Sequence, residues 1–273
     1  MRSARSSILF QVTDSDVIRS HISAMAKKTF YRHKNYEPGQ ESPFRLSRSK
    51  IELFLDCPRC FYLDRRLGVS RPSGAPFTLN NAVDHLLKKE FDVHRMEHTA
   101  HPLVKAYGLD LRPLNDKRLN DWRENFVGVQ HMHEESNFIV FGAVDDLWSD
   151  KDGTVYVVDY KATSKDEPVM QLEETKWHDQ YRRQMEVYQW LLRHNGLTVS
   201  DTGYFVYVNG KRDAAAFDGK LEFDINLIPY EGGTDWIDDT LVAIKACLDS
   251  DSVPKQSASC EYCDYRAKAE AAF

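Results

Sequence analysis

A mixed α/β fold is predicted by three features of the 273-residue chain. Apolar residues recur at helical spacing over its first third. Runs of period two take over near residue 137, and a long helical stretch then separates them from two further strand-like runs. Apolar residues make up 42 % and charged residues 29 %, a globular composition, while 13 Gly, 10 Pro and 5 Cys exclude collagen-like and disulfide-scaffold classes. No run approaches the eighteen or so apolar residues of a membrane helix. The opening MRSARSSILFQV has too short an apolar stretch for a signal peptide. The expected location is therefore the cytoplasm, without membrane contact.

Residues 1–43 are polar and lack sustained periodicity, so a flexible arm is expected there. Met25, followed by Ala-Lys-Lys, reads as a second start. The folded domain is expected over residues 44–273. Ser47 is a candidate N-cap, with Ile51, Phe54 and Leu55 on an apolar helical face. Pro58 suits the first turn of a second helix and Gly68 its stop. The stretch LNNAVDHLLKKEFD then puts Leu79, Val83, Leu86, Leu87 and Phe91 on one face, whereas residues 95–125 show no clear period. The runs NFIVFGAVDDLW and TVYVVDYKAT are separated by turn chemistry at Ser149–Gly153 and predict a hairpin. A helix over Asp179 to His194 carries Tyr181, Met185, Tyr188 and Leu192 at helical spacing, with Gly196 beyond its end. TGYFVYVNG and KLEFDINLI predict two more strands, and a helix near 235–249 leads to the tail CEYCDYR. There is no internal repeat, and no GxxxxGK[ST] loop suggests an NTPase motor.

The net charge of −6 argues against a simple basic nucleic-acid binder, but the charge is unevenly spread. Residues 1–71 hold 14 Lys+Arg against 7 Asp+Glu, and the remainder 22 against 35. The imbalance points toward a polyanionic partner touching the N-terminal part. A solvated face that binds nothing accounts for it equally well.

Chemistry concentrates at the predicted hairpin. Asp159 and Lys161 are two apart on a strand, so both side chains leave the same face. Asp145 lies near the end of the partner strand, and the three can converge as two carboxylates beside an ammonium. Hard oxygen ligands suit Mg²⁺ or Mn²⁺ rather than Zn²⁺. A neighbouring lysine can orient a metal-bound water and offset charge on a phosphoryl oxygen. Alone, the Asp-Tyr-Lys triplet is equally a strand end with a surface ion pair.

The order of LSRSKIELFLDCPRCFYLD, GAVDDLW, VVDYKAT, QMEVYQWLL and CEYC resembles the RecB-like branch of the PD-(D/E)XK nuclease superfamily. The chain is similar to the AddB C-terminal nuclease domain, to CRISPR-associated RecB-like exonucleases, and most of all to a stand-alone group of similar length. The resemblance covers about Phe44 to Arg266 and implies a restriction-endonuclease-like mixed sheet flanked by helices. It implies Asp145 and Asp159 as acidic metal ligands, Lys161 as the catalytic lysine, and Gln184 and Tyr188 as the Q-x-x-x-Y pair. Four-residue spacing puts that pair on one helix face. The family's early G-x-x-x-H motif is met imperfectly: Asn81 stands in the glycine place and His85 in that of the metal-ligating histidine, with Asp84 a rival ligand. His131 and His133 have ligand-like spacing on a strand but read as a surface pair. The implied activity is metal-dependent hydrolysis of DNA, at single strands or duplex ends, in repair, recombination or defence, with a helicase or other such proteins as partners. The rival is a catalytically idle nuclease fold serving as a nucleic-acid-binding subunit of a larger complex. A third reading is a structural zinc protein without chemistry.

Four of the five cysteines form two C-x-x-C pairs, Cys57/Cys60 and Cys260/Cys263, which read as a metal or cluster site joining the two ends of the domain. Ligand softness admits either Zn²⁺ or an iron–sulfur cluster. The relatives hold a cluster with one N-terminal and three C-terminal cysteines. The resemblance therefore implies [4Fe–4S], although this chain has two plus two. Cys247 reads as a core residue.

Overall fold

The computed structural model describes residues 35–272, and the expectation for the first 34 residues and Met25 lies outside them. Residues 35–43 belong to the folded unit. Tyr36 is buried edge-on against Phe44 and Phe138, at 5.2 and 6.4 Å between ring centroids, and its hydroxyl donates to Asp249 Oδ1 at 2.6 Å. Among the described residues no helix is long and apolar enough to cross a membrane.

Strand β1 (Phe44–Ser47) runs directly into helix α1 (Arg48–Asp56). A break at Cys57 separates α1 from α2 (Pro58–Arg65). The residue before a proline is pushed out of the helical region, and Cys57 is extended at φ −159°, ψ 104°. Helix α3 (Thr78–Glu97) follows, then the short α4 (Pro102–Ala106), β2 (Arg112–Pro113) and α5 (Leu119–Trp122). Next come β3 (Val129–His133), β4 (Phe138–Gly142), β5 (Asp146–Ser149) and β6 (Val155–Thr163). Helix α6 (Lys176–His194) crosses to β7 (Thr202–Gly210), which turns back as β8 (Phe223–Glu231). Helices α7 (Trp236–Asp249) and α8 (Glu261–Glu270) complete the chain.

Two mixed sheets result. One has the order β1-β4-β3, with β1 parallel to β4; the other has the order β2-β5-β6-β7-β8, with only β6 and β7 parallel. A parallel pair needs a crossover, and α6 supplies it. Strands β6 and β7 are covered on both faces, so they read as almost continuous apolar runs. Val155, Val157, Phe205 and Tyr207 join the core under Met185, Tyr188 and Leu192 of α6. Val158, Tyr160, Val206 and Val208 face the other way, toward Leu87 and Phe91 of α3.

Two expectations need correction. NFIVFGAVDDLW is not one strand, because β4 and β5 belong to different sheets and the chain turns at residues 143–145. Here Val144 N–H bonds Trp122 O at 3.1 Å, while Gly142 leaves room for the Tyr188 ring; a Cβ on Gly142 would lie 2.7 Å from Tyr188 Cε1. The hairpin is therefore β5–β6, pairing Asp146–Ser149 with Val155–Val158. Its turn is held by Asp150 Oδ1, which accepts from the N–H groups of Asp152 and Thr154. In α3 the buried stripe is Leu87, Phe91 and Arg95, whereas Leu79 and Leu86 are exposed.

A buried ion pair locks α1 to α2. Asp64, 2 % exposed, receives Lys50 Nζ at 2.5 Å and the Arg65 guanidinium. Burial works against ionisation, but the two cations outweigh it and hold the Asp64 carboxyl below its ordinary value. A depressed folded-state pKa gives stability that is complete above the unfolded value and disappears as pH falls through the folded one. Asp64→Asn is therefore expected to cost about 3 kcal/mol at neutral pH. The difference from the parent should shrink below about pH 4, which urea unfolding at several pH values would read.

Candidate active site

The middle of strand β6 reads Val-Val-Asp-Tyr-Lys, and pleat alternation sends Asp159 and Lys161 toward α6 while Tyr160 points to the opposite core. Extending the β5–β6 register by one residue sets Asp145 across from Asp159. The structure thus brings Asp145, Asp159, Lys161, Gln184 and Tyr188 together. Asp159 is fully buried. Its Oδ1 accepts from Gln184 Nε2 at 2.8 Å, and its Oδ2 has the Lys161 ammonium against it but no hydrogen-bond partner of ordinary geometry. Gln184 Nε2 also lies 3.2 Å from the Tyr188 hydroxyl, and Lys161 Nζ lies 3.5 Å from Gln184 Oε1. The Lys161 ammonium sits over the Tyr181 ring, 4.6 Å from its centroid.

The opposite wall of the cleft comes from α3. Asp84 and Lys88 are one turn apart and face inward. Lys88 Nζ lies 2.9 Å from Asp84 Oδ2 and 3.1 Å from Asp145 Oδ1, so one ammonium bridges two carboxylates. The other Asp145 oxygen accepts from Tyr160 N–H at 3.0 Å. Asn80 ties the start of α3 to the end of β6 by donating to Ala162 O at 2.7 Å. Asp84, Lys88, Asp145 and Lys161 line a cleft of about 340 Å³. His85 is exposed and outside this lining. The structure brings the rival Asp84 to the site and leaves His85 out, because the α3 stripe facing the sheet runs through Leu87 and Phe91. His131 packs against His194 and Trp190 and is not among the residues lining the cleft.

The electrostatics follow from burial and crowding. Burial, with Asp145 adding repulsion, pushes the Asp159 carboxyl up to about 6 against the pull of Lys161. Burial and the same neighbour raise Asp84. Burial disfavours the charged forms of Lys161 and Lys88, yet the surrounding carboxylates prevail and hold both above the ordinary lysine value. A concentration of carboxylates that burial discourages from ionising, held by two ammonium groups, is a site poised for a cation. Its all-oxygen donor set fits Mg²⁺ or Mn²⁺.

Behind the cleft lies a network absent from the sequence expectations. Asp146, fully buried, is paired with the Arg95 and Arg123 guanidinium groups, the latter at 3.1 Å, and accepts from Tyr160 Oη at 2.7 Å. Arg123 also donates to Asp145 O at 2.9 Å and to both oxygens of Asp92 at 2.9 Å. The spacing Asp84, Lys88, Asp92, Arg95 along α3 was the available signal, since alternating charges three and four apart mark a paired face.

The four paired cysteines also meet. Cys57 and Cys260 occupy the N-cap positions of α2 and α8, and Cys60 and Cys263 sit three residues later in the first turns. All four are buried, and their sulfurs lie within 4.8 Å of one another. Cys247 is half-buried and packs at the edge of the main core.

No curated protein matches the chain. The sequence profile of the PD-(D/E)XK nuclease superfamily matches residues 70–268. That segment contains both walls of the cleft, the complete β5–β6 hairpin, the crossover helix with Gln184, and the second cysteine pair. With the Asp159–Lys161 segment of β6, Asp145 and the supporting helix all inside the match, the chain belongs to the PD-(D/E)XK nuclease superfamily.

Proposed function

We propose that the protein is a metal-dependent deoxyribonuclease of the RecB-like branch, hydrolysing phosphodiester bonds at single strands or duplex ends. The observation that carries this reading is Asp159. It is a buried carboxylate with one oxygen fixed by Gln184 and the other against Lys161, and it lies directly behind a cleft that Lys161 lines together with Asp145 and Asp84. A fully buried carboxylate paired with a lysine beside a second carboxylate calls for a functional explanation.

Asp145 and Asp159, with Asp84 rather than His85, are the proposed Mg²⁺ or Mn²⁺ ligands. A bound divalent ion supplies activation of water and neutralisation of phosphoryl charge. Lys161 orients the attacking water and offsets charge growing on the non-bridging oxygens, its ammonium confined by Asp159, Gln184 and Tyr181. Gln184 fixes the Asp159 carboxylate, and Tyr188 fixes Gln184 from the buried side. Lys88, which bridges Asp84 and Asp145, would offer its charge to a phosphate if those carboxylates held a cation. Affinity carried by such phosphate contacts should fall steeply with salt and depend little on sequence.

The test is cleavage of end-labelled single-stranded and duplex DNA, linear and circular, with Mg²⁺, with Mn²⁺ and with chelator. Cleavage that requires a divalent ion and fades with added salt is expected. Binding of DNA without cleavage under every condition would favour the idle nucleic-acid-binding subunit instead.

A further inference from the structure

We propose that Cys57, Cys60, Cys260 and Cys263 form a structural site for one tetrahedral Zn²⁺ rather than for an iron–sulfur cluster. The inference stands apart from the acidic cleft and does not depend on the nuclease reading. The sulfur spacing is its first ground. Cys60 Sγ lies 3.6 Å from both Cys260 Sγ and Cys263 Sγ, Cys57 Sγ lies 3.9 Å from Cys263 Sγ, and no pair exceeds 4.8 Å. Four thiolates bound at 2.3 Å around one tetrahedral ion stand about 3.8 Å apart. In a [4Fe–4S] cubane each thiolate bonds a different iron, so the sulfurs stand about 6 Å apart. A [2Fe–2S] centre likewise separates its two thiolate pairs across the cluster. The observed tetrad fits one ion and is too small to surround inorganic sulfide.

The second ground is the way the ligands are delivered. Both pairs use the same device, an N-cap cysteine and a second one in the first helical turn, so two helix N-termini point at one centre. Two equal clips suit a single ion. With four protein ligands and no open position, the site is structural rather than catalytic.

The surroundings also answer the charge of a tetrathiolate centre, which is the same for one Zn²⁺ as for an oxidised [4Fe–4S] cluster, so the choice between them rests on spacing and delivery. A tetrathiolate zinc centre carries two net negative charges, and Arg71 is placed to answer them. Its Nη2 lies 3.3 Å from Cys260 Sγ, its Nη1 lies 2.6 Å from Asp56 Oδ2, and its guanidinium stacks over Tyr262 at 4.5 Å. Such outer contacts orient ligands and tune a metal site. Lys176, at the start of α6, reaches the same Asp56 at 2.5 Å, so the clip is continuous with the helix that carries Gln184.

The experiment measures zinc, iron and acid-labile sulfide on the full chain, purified without oxygen from cells supplied with both metals. One zinc per chain in a colourless protein, with negligible iron and sulfide, is expected. Cys260→Ser should lose that zinc, and Cys247→Ser, which alters a cysteine outside the tetrad, should keep it. Should Cys260→Ser fail to fold, cobalt exchange into the parent protein decides, because one Co²⁺ per chain must show the intense visible bands of a tetrahedral tetrathiolate. A brown protein with iron and acid-labile sulfide in stoichiometric amounts would overturn the proposal, and so would zinc retained by a folded Cys260→Ser variant. Metal content is read without any cleavage assay, so this outcome and that of the nuclease test are independent.

Discussion

Asp159→Asn, Asp145→Asn and Lys161→Ala are each expected to lower divalent-dependent DNA cleavage by about a thousandfold or more, equivalent to about 4 kcal/mol of transition-state stabilisation. The reasoning differs for each. Asp159 is buried with one oxygen held by Gln184, so the amide substitution keeps the shape but removes a negative charge needed beside the cation. Asp145 contributes a carboxylate oxygen now bridged by Lys88, and the other oxygen is fixed by Tyr160 N–H. Lys161→Ala leaves Asp159 without its ion pair, yet that carboxyl is already raised by burial and can take up a proton, so the fold should survive. Circular dichroism and thermal melts verify folding, and single-turnover cleavage measures the loss. Full activity in Lys161→Ala would remove the role given to the lysine. Cleavage in chelator would remove the metal mechanism altogether. Asp84→Ala and His85→Ala divide the remaining question. The first should weaken divalent-ion affinity, and the second, altering an exposed side chain outside the cleft, should leave both affinity and rate within about twofold.

What could be read in advance tracks how local each signal is. The pairing of Asp159 with Lys161 rests on the period of two in β6, and that of Gln184 with Tyr188 on the helical repeat, both of which are written in neighbouring residues. The convergence of four cysteines followed from ligand chemistry, because two C-x-x-C pairs outside a thioredoxin-like βαβ unit match the ligand spacing of metal and cluster sites. The position of His85 depended on something non-local, namely which stripe of α3 would meet the sheet. Leu79 and Leu86 look as apolar as Leu87, but only the stripe through Leu87 and Phe91 touches Trp148 and Tyr160, and it turns Asp84 inward. The break after Gly142 was hidden for a similar reason. An apolar run does not show that its two halves pair with different partners, β3 and β1 on one side and β6 on the other. Arg123 and Asp146 were the hardest, since their pairing joins a stretch without periodicity to a carboxylate whose neighbour Asp145 already had a role.

Asp146→Ala should be the most destabilising single change near the cleft. Asp146 is fully enclosed and is matched by the Arg95 and Arg123 guanidinium groups, the Tyr160 hydroxyl and the Leu147 N–H at 2.7 Å. Removing the carboxylate strands two largely buried cations and a buried phenol together. Breaking one partner of such a network costs about 3–5 kcal/mol, chiefly because the charges left behind cannot be rehydrated. In a domain of this size that is a fall of about 10 °C or more in melting temperature. Asp146→Asn keeps the volume and one acceptor oxygen, enough to accept from Leu147 N–H on the Oδ1 side while its amide N–H₂ meets the Tyr160 hydroxyl, so it should cost less while leaving the arginines short of a counter-charge. The network also supports the chemistry, because Arg123 holds the Asp145 carbonyl and Tyr160 supplies the N–H that fixes the Asp145 side chain. Asp146→Asn is therefore expected to weaken divalent-ion affinity, read by calorimetry, even at a temperature where the variant is fully folded. A variant that melts like the parent would show that the two guanidinium groups find other partners, and Asp92, already bound to both, is where they would turn.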